Sequence, residues 1–178
     1  SMIPRTAGTS LAGQCVGEGL VVDFSRFMSK IIEVNKDEKW VVLEPGVIRD
    51  ELNGLVEEDG LFFGPNTSTA NRCMMGGMLG NNSSGTTSIR YGVTRDKVLE
   101  LEVVLSDGSL ATLGELSKEE LRNLLESEST EERIIKSCIE ELATETVRKE
   151  IVDGFPKDEI HRRNTGYAVD VLAKMQPF

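Results

Sequence analysis

Histidine is nearly absent from this sequence. One residue, His161, serves all 178 positions, and one imidazole cannot by itself assemble a His-based metal site. Cysteine is scarce too: Cys15, Cys73 and Cys138 are odd in number, far apart and free of any C-x-x-C pair, which argues against a disulfide framework and against a zinc site. Positive charge is short, with 20 Lys and Arg against 30 Asp and Glu and a formal net charge of −10. A long nucleic-acid footprint needs clustered cations, so that class of partner is excluded. A small anion is not, because backbone N–H groups hold one without any net positive charge. No apolar run approaches the roughly 20 residues of a membrane span, and no signal-peptide pattern opens the chain. The composition reads as that of a soluble cytoplasmic protein. Asn66, Asn81 and Asn82 open Asn-x-Ser/Thr triplets, read here as loop polar residues.

Glycine, by contrast, is concentrated in two places. "RTAGTSLAGQ" spans residues 5 to 14, with no room for a strand ahead of it. Gly8 and Gly13 tolerate positive φ, and Ala7 and Ala12 leave the backbone approachable, so consecutive N–H groups can converge on a phosphate or pyrophosphate, with the Thr9 and Ser10 hydroxyls beside them. The loop is neither G-x-G-x-x-G nor a P-loop, which needs a Lys after its last glycine. The second place is residues 64 to 95, where Gly76, Gly77, Gly80, Gly85 and Gly92 mix with Asn, Ser and Thr. Met74, Met75, Met78, Leu79 and Ile89 lie among them and would be badly exposed in a disordered loop. Buried Met beside bare backbone suits a flat ligand pressed against main chain. The two loops together suggest a long ligand with a phosphate part and a planar part.

The rest reads as scaffold. "LVVDF", "IIEV" and "KWVVLEPG" are strand-like; Val47, Leu52, Leu55 and Val56 mark one face of a helix that stops at Gly60. "KVLELEVVLSDGSLATLG" is a hairpin turning at Asp107-Gly108. Ser117 and Glu120 form a capping pattern, and apolar residues at 134, 135, 138, 139 and 142 predict a helix through "TEERIIKSCIEELATETVRKEI", with Cys138 on its buried face. Between 117 and 150, ten acidic residues face six basic ones, most simply a solvated helix face. Gly154 and Pro156 break that helix, and Arg162, Arg163, Asn164, Thr165 and Gly166 follow.

The ordered set "PRTAGTSLAGQ", "GLVVDFSRFMSKIIEVNKDEKWVVLEPGV", "GLFFGPNTST", "GGMLGNNSSG", "RYGVTRDKVLELEVVLSDGS" and "RRNTGYAVD" resembles the FAD-binding domain of FAD-linked oxidases of the vanillyl-alcohol oxidase and p-cresol methylhydroxylase (PCMH) type. Within that group it is most similar to the D-lactate, glycolate and D-2-hydroxyglutarate dehydrogenases, in particular to large bacterial forms fused to an iron–sulfur domain.

The resemblance implies an α+β fold, the second subdomain of a PCMH-type domain, with a mixed or antiparallel sheet flanked by helices. Residues 3–170 would be a partial FAD-binding domain lacking the N-terminal subdomain and the substrate cap, and 171–178 the start of the linker to that cap. It implies that Ala7, Gly8, Thr9, Ser10 and Leu11 hold the FAD pyrophosphate, with Gln14 close by. Pro65, Asn66, Thr67, Gly76, Gly77, Gly80, Asn81, Asn82, Ser83, Ser84, Gly85, Gly92 and Val93 would line the ribityl chain and isoalloxazine.

Members that tether flavin covalently often place His where Thr9 stands here, so non-covalent FAD is expected. Catalytic residues are expected in the cap and none is assigned; no metal ligand is assigned either, and any iron–sulfur cluster would lie elsewhere in the full-length protein. The implied function is oxidation of a D-2-hydroxy acid by hydride transfer to FAD, with the electron acceptor undetermined. The alternatives are the NADPH-using enolpyruvyl-sugar reductase of the same fold and a non-enzymatic module retaining it. The isolated chain is expected to be inactive, to hold FAD poorly and to self-associate; membrane-peripheral attachment of the full-length protein is left open.

Overall fold

Val47, Leu52 and Val56 are 1%, 2% and 7% exposed, and Ile31, Val34, Val41, Leu43, Leu61, Phe63 and Met75 pack half-buried around them. Burying a side chain of this size is worth roughly 1.5 to 3 kcal/mol, which fixes helix α1 (Arg49–Val56) on the antiparallel pair β3 (Ile31–Asn35) and β4 (Trp40–Leu43). Leu55, expected on the same face, is 54% exposed. At 100° per residue it stands about 80° from the line between Leu52 and Val56. Gly60 ends the segment in the left-handed conformation, as expected.

The computed structural model describes residues 1–160 and 167–175, in two compact units, Ser1–Lys97 and Val98–Phe178. In the first unit, β1 (Met2–Arg5) runs parallel to β2 (Leu20–Asp23), with Arg5 opposite Asp23. A strand therefore does precede the first glycine loop. Leu20 N–H donates to the Ser1 carbonyl at 3.0 Å and Phe24 N–H to the Arg5 carbonyl at 2.9 Å, so parallel pairing supplies what four weakly apolar residues could not signal alone.

Residues 64 to 95 are more ordered than their composition suggests. They contain helix α2 (Met75–Gly80), the single turn α3 (Ser88–Tyr91) and, overlapping their end, a 3-10 turn over Thr94–Lys97. Met78 is 2% exposed and anchors α2, whereas Ile89 is exposed.

The second unit opens with the predicted hairpin, β5 (Leu101–Val104) and β6 (Leu110–Leu113), closed by Gly108 N–H on the Leu105 carbonyl and Leu105 N–H on the Ser109 carbonyl. Helix α4 (Lys118–Leu125) carries the full capping box between Ser117 and Glu120. The run predicted from 130 onward divides into α5 (Thr130–Leu142) and α6 (Glu145–Gly154). Thr144 stands between them in an extended conformation, φ −80° and ψ 120°, with no side-chain capping bond. Cys138 is half-buried. Helix α7 (Val169–Lys174) follows and runs across the 170/171 division. Arg148 Nε donates to the Ala173 carbonyl at 3.1 Å, tying α6 to the end of α7. Among the described residues no helix is long and apolar enough to cross a membrane, and no cluster of three His, Cys, Asp or Glu side chains could hold a metal.

Candidate functional site

Every predicted site residue lies in the unit Ser1–Lys97. The first loop leaves β1 after Arg5 and returns to β2 at Leu20, and Gly8 (φ +66°) and Gly13 (φ +73°) take the positive φ expected of them. Among the described residues, none of the N–H groups of Ala7, Gly8, Thr9, Ser10 and Leu11 donates a hydrogen bond. Five consecutive main-chain donors are thus held without an internal acceptor. Ser10 Oγ donates to Gln14 Oε1 and accepts from Ala12 N–H at 3.4 Å, so Gln14 braces the loop from within. The Leu11 side chain is fully exposed.

The loop approaches α2 at Gly77. A β-carbon on Gly77 would overlap Thr6 Oγ1, so the absence of a side chain there lets the two segments close up. Gly76 faces elsewhere: its β-carbon would stand 2.5 Å from Pro45 Cβ, and its N–H donates to the Pro45 carbonyl at 2.9 Å. Gly77 remains exposed, and around Gly80 there is open space.

The 65–67 and 80–85 segments are joined by a parallel bridge between Asn66 and Gly85. At Gly85 φ is +93°, and an added β-carbon would run into the Asn66 carbonyl group, so both backbone conformation and close approach require glycine. Asn82 is held at φ +47° while its Oδ1 accepts from Arg95 N–H at 3.1 Å. The Ser83 carbonyl accepts both Thr94 N–H at 2.9 Å and Thr94 Oγ1–H at 2.7 Å. Val93 N–H donates to Asp96 Oδ2 at 2.9 Å. Pro65, Ser84 and Val93 are buried, so they shape this segment from beneath rather than offer surface to a ligand. Gly92, at φ +75°, ends α3.

Sequence reasoning missed the supports. Arg49 on α1 donates from Nε to the Pro65 carbonyl at 3.2 Å and from Nη2 to the Phe63 carbonyl at 3.0 Å, and Asn53 Oδ1 accepts Phe63 N–H at 2.7 Å. Thr94, 2% exposed, was also unmarked. No local motif announces them, because each acts on a segment 10 or more residues away. Residues 161–166, which hold most of "RRNTGYAVD", lie outside the described residues. Two surface depressions, of about 410 Å³ beside Asp50, Glu57 and Phe62 and of about 460 Å³ beside Glu145, Arg148 and Lys149, lie at other residues.

A row of main-chain donors in a glycine loop is an arrangement that can hold an anion through backbone N–H groups. The chain belongs to the FAD binding domain family, whose model matches residues 1–114 and so takes in every predicted site residue. The chain is 40% identical over 164 residues to D-2-hydroxyglutarate dehydrogenase of Escherichia coli strain K12, covering 92% of this chain and 16% of that protein. It is 38% identical over 120 residues to the glycolate oxidase subunit GlcD of Bacillus subtilis strain 168, covering 66% of this chain and 26% of the relative. The chain thus spans a minor part of the curated relatives it matches. Among solved structures, xylooligosaccharide oxidase from Myceliophthora thermophila C1 superposes with a TM-score of 0.56 at 24% identity, over 67% of this chain and 25% of the other, a likeness of fold.

Proposed function

We propose that the protein is a flavin-dependent dehydrogenase of a D-2-hydroxy acid of the D-2-hydroxyglutarate, D-lactate or glycolate type, and that this chain supplies its FAD-binding part. The names of its relatives support the substrate class. The observation that carries the cofactor reading is the row of N–H groups at residues 7 to 11 with no acceptor among the described residues. Bound FAD supplies a hydride acceptor for the substrate α-carbon.

Ala7 to Leu11 would bind the pyrophosphate through main-chain N–H groups, each bond to a charged oxygen being worth roughly 1.5 to 3 kcal/mol. Ser10 and Gln14 keep that loop in shape. Main chain at Gly77 and at residues 80–85, with Asn66, Thr67, Gly92 and Val93 in support, would lie along the ribityl chain and ring. Thr9 offers no imidazole for a covalent link, so FAD is held non-covalently. Residues 3–170 form part of the FAD-binding domain and 171–178 lead out of it. The full-length protein works in the cytoplasm.

The test is anaerobic mixing of the full-length flavoprotein with D-2-hydroxyglutarate, D-lactate, glycolate and NADPH in turn. One of the hydroxy acids bleaches the flavin band. Bleaching by NADPH and by none of the acids would replace this reading with a reductase of the same fold.

A further inference from the structure

Pro65 has no N–H, so no neighbouring strand can hold the segment from Phe63 to Pro65 through a full ladder of hydrogen bonds. Side chains hold it instead, from two elements. Arg49 donates from Nη2 to the Phe63 carbonyl at 3.0 Å and from Nε to the Pro65 carbonyl at 3.2 Å, while Thr87 Oγ1 donates to the carbonyl between them, that of Gly64, at 2.8 Å. The third nitrogen, Nη1, lies 2.7 Å from Asp50 Oδ1, so every nitrogen of the guanidinium has a partner, and the Arg49 side chain is 12% exposed. Gly64 is pressed against α3 at the same time: an added β-carbon would stand 2.7 Å from Tyr91 Cβ. The segment is therefore fixed between α1 and α3. Its next residue, Asn66, is joined to the Gly85 loop by their bridge.

We propose that Arg49 is a positioning residue for the flavin: it touches no ligand itself, and its two bonds to main chain set where Asn66, Thr67 and the Gly85 loop meet the ribityl chain and ring. The proposal rests on the FAD reading above and extends it from the wall of the site to the helix behind that wall. The geometry says why lysine would not serve. An ammonium is a single point of charge, whereas the planar fork places donors on two carbonyls of one chain and a third on Asp50. Asn53, one turn further along α1, grips the same chain at Phe63, whose N–H it accepts at 2.7 Å. Loss of Arg49 therefore leaves the segment attached at Phe63 and releases it from Pro65 onward, toward the residues that line the flavin. The core beneath α1, built on Val47, Leu52 and Val56, is not disturbed.

The test uses the full-length apoprotein and its R49K and R49M variants. Dissociation constants are measured for FAD and for riboflavin, which has the ribityl chain and ring but no phosphate, together with the visible absorption bands at saturating FAD and the melting temperature of each apoprotein. Both variants should weaken FAD and riboflavin by the same factor, roughly tenfold or more, and the bands of the bound flavin should shift because the surroundings of the ring have moved. R49K should resemble R49M rather than wild type, since the charge is kept and the fork is lost. Wild-type affinities in R49K would mean that a positive charge alone suffices. A lower melting temperature with wild-type bands would mean that Arg49 only holds the fold, and weakening of FAD alone would place Asn66 and Thr67 at the phosphates. Each of these results overturns the proposal. If R49M fails to fold, R49K decides the question by itself. A wild-type apoprotein that binds neither flavin refutes the FAD reading, and the proposal with it.

Discussion

Valine in place of Gly77 should strip FAD from the full-length protein without unfolding it, and alanine should not. The structure separates the two. A single β-carbon at Gly77 meets Thr6 Oγ1, but Thr6 Cβ is 3.8 Å away, so rotation about the Thr6 Cα–Cβ bond clears the space at a cost of about 0.5 to 1.5 kcal/mol. The gain in helix propensity from glycine to alanine, roughly 1 kcal/mol, offsets that cost. Valine adds two methyl groups whose χ1 is nearly fixed in a helix, and overpacking of this kind costs typically 1 to 3 kcal/mol. The first loop is the part that yields, since few hydrogen bonds hold it, whereas α2 is anchored by Met78 and by Gly76 N–H on Pro45. Displacing the loop so that even two of its bonds to the pyrophosphate are lost, at roughly 1.5 kcal/mol each, costs about a hundredfold in affinity. The assay is the ratio of flavin to protein absorbance after desalting, with circular dichroism recorded on the same samples. Wild-type flavin content in Gly77→Val would refute the joint role of the Thr6 loop and α2.

Other consequences follow from single residues. Acid precipitation of the full-length flavoprotein should release all flavin into the supernatant, because Thr9 cannot form the tether; colour that stays with the protein through denaturing electrophoresis contradicts this. Gly85→Ala forces a side chain into positive φ, costing roughly 1 to 2 kcal/mol, and into the Asn66 carbonyl as well. It should lower the melting temperature by at least about 2 °C, whereas Gly80→Ala, with open space around it, should lower it little if at all. Hydrogen bonds from the Ser109 hydroxyl first, then from Thr130 and the Ser109 N–H, hold the Asp107 carboxyl well below its ordinary 3.8. A depressed carboxylate contributes stability that is present above the unfolded pKa and lost as pH falls through the folded one. The difference in melting temperature between wild type and Asp107→Asn should therefore be constant above pH 5 and shrink on acidification below about 3.8; a difference that grows there would show the sign to be wrong.

Local chemistry was readable where a motif and its effect fall within a few residues. Ser117 and Glu120 cap the helix they announce, and Asp107-Gly108 turns the hairpin they announce. The reading failed where a distant partner decides. Met2–Arg5 becomes a strand only because Leu20–Asp23 pairs with it, and Thr144 divides a run whose apolar spacing continues past it. Gly76 looks in sequence like its neighbour Gly77, yet one admits Pro45 and the other Thr6. Arg49, Asn53 and Thr94 carry no local signal in the sequence; their work on Phe63, Pro65 and Ser83 depends on how the chain returns. The glycine loop itself was legible because density of small residues is a local property, and the residues that brace it were not.

The central claim is that the N–H groups of residues 7 to 11 wait for the pyrophosphate of FAD. Hydrogen–deuterium exchange of the full-length protein, followed by mass spectrometry with and without FAD, reads those groups directly. Without the cofactor, peptides covering residues 6–14 should exchange at the earliest time points, since the amides of residues 7–11 have no acceptor among the described residues. With FAD bound they should become strongly protected, together with peptides covering residues 76–95, while α4 to α6, residues 118–154, change little. Bound FAD that leaves residues 6–14 exchanging as fast as before would contradict the account.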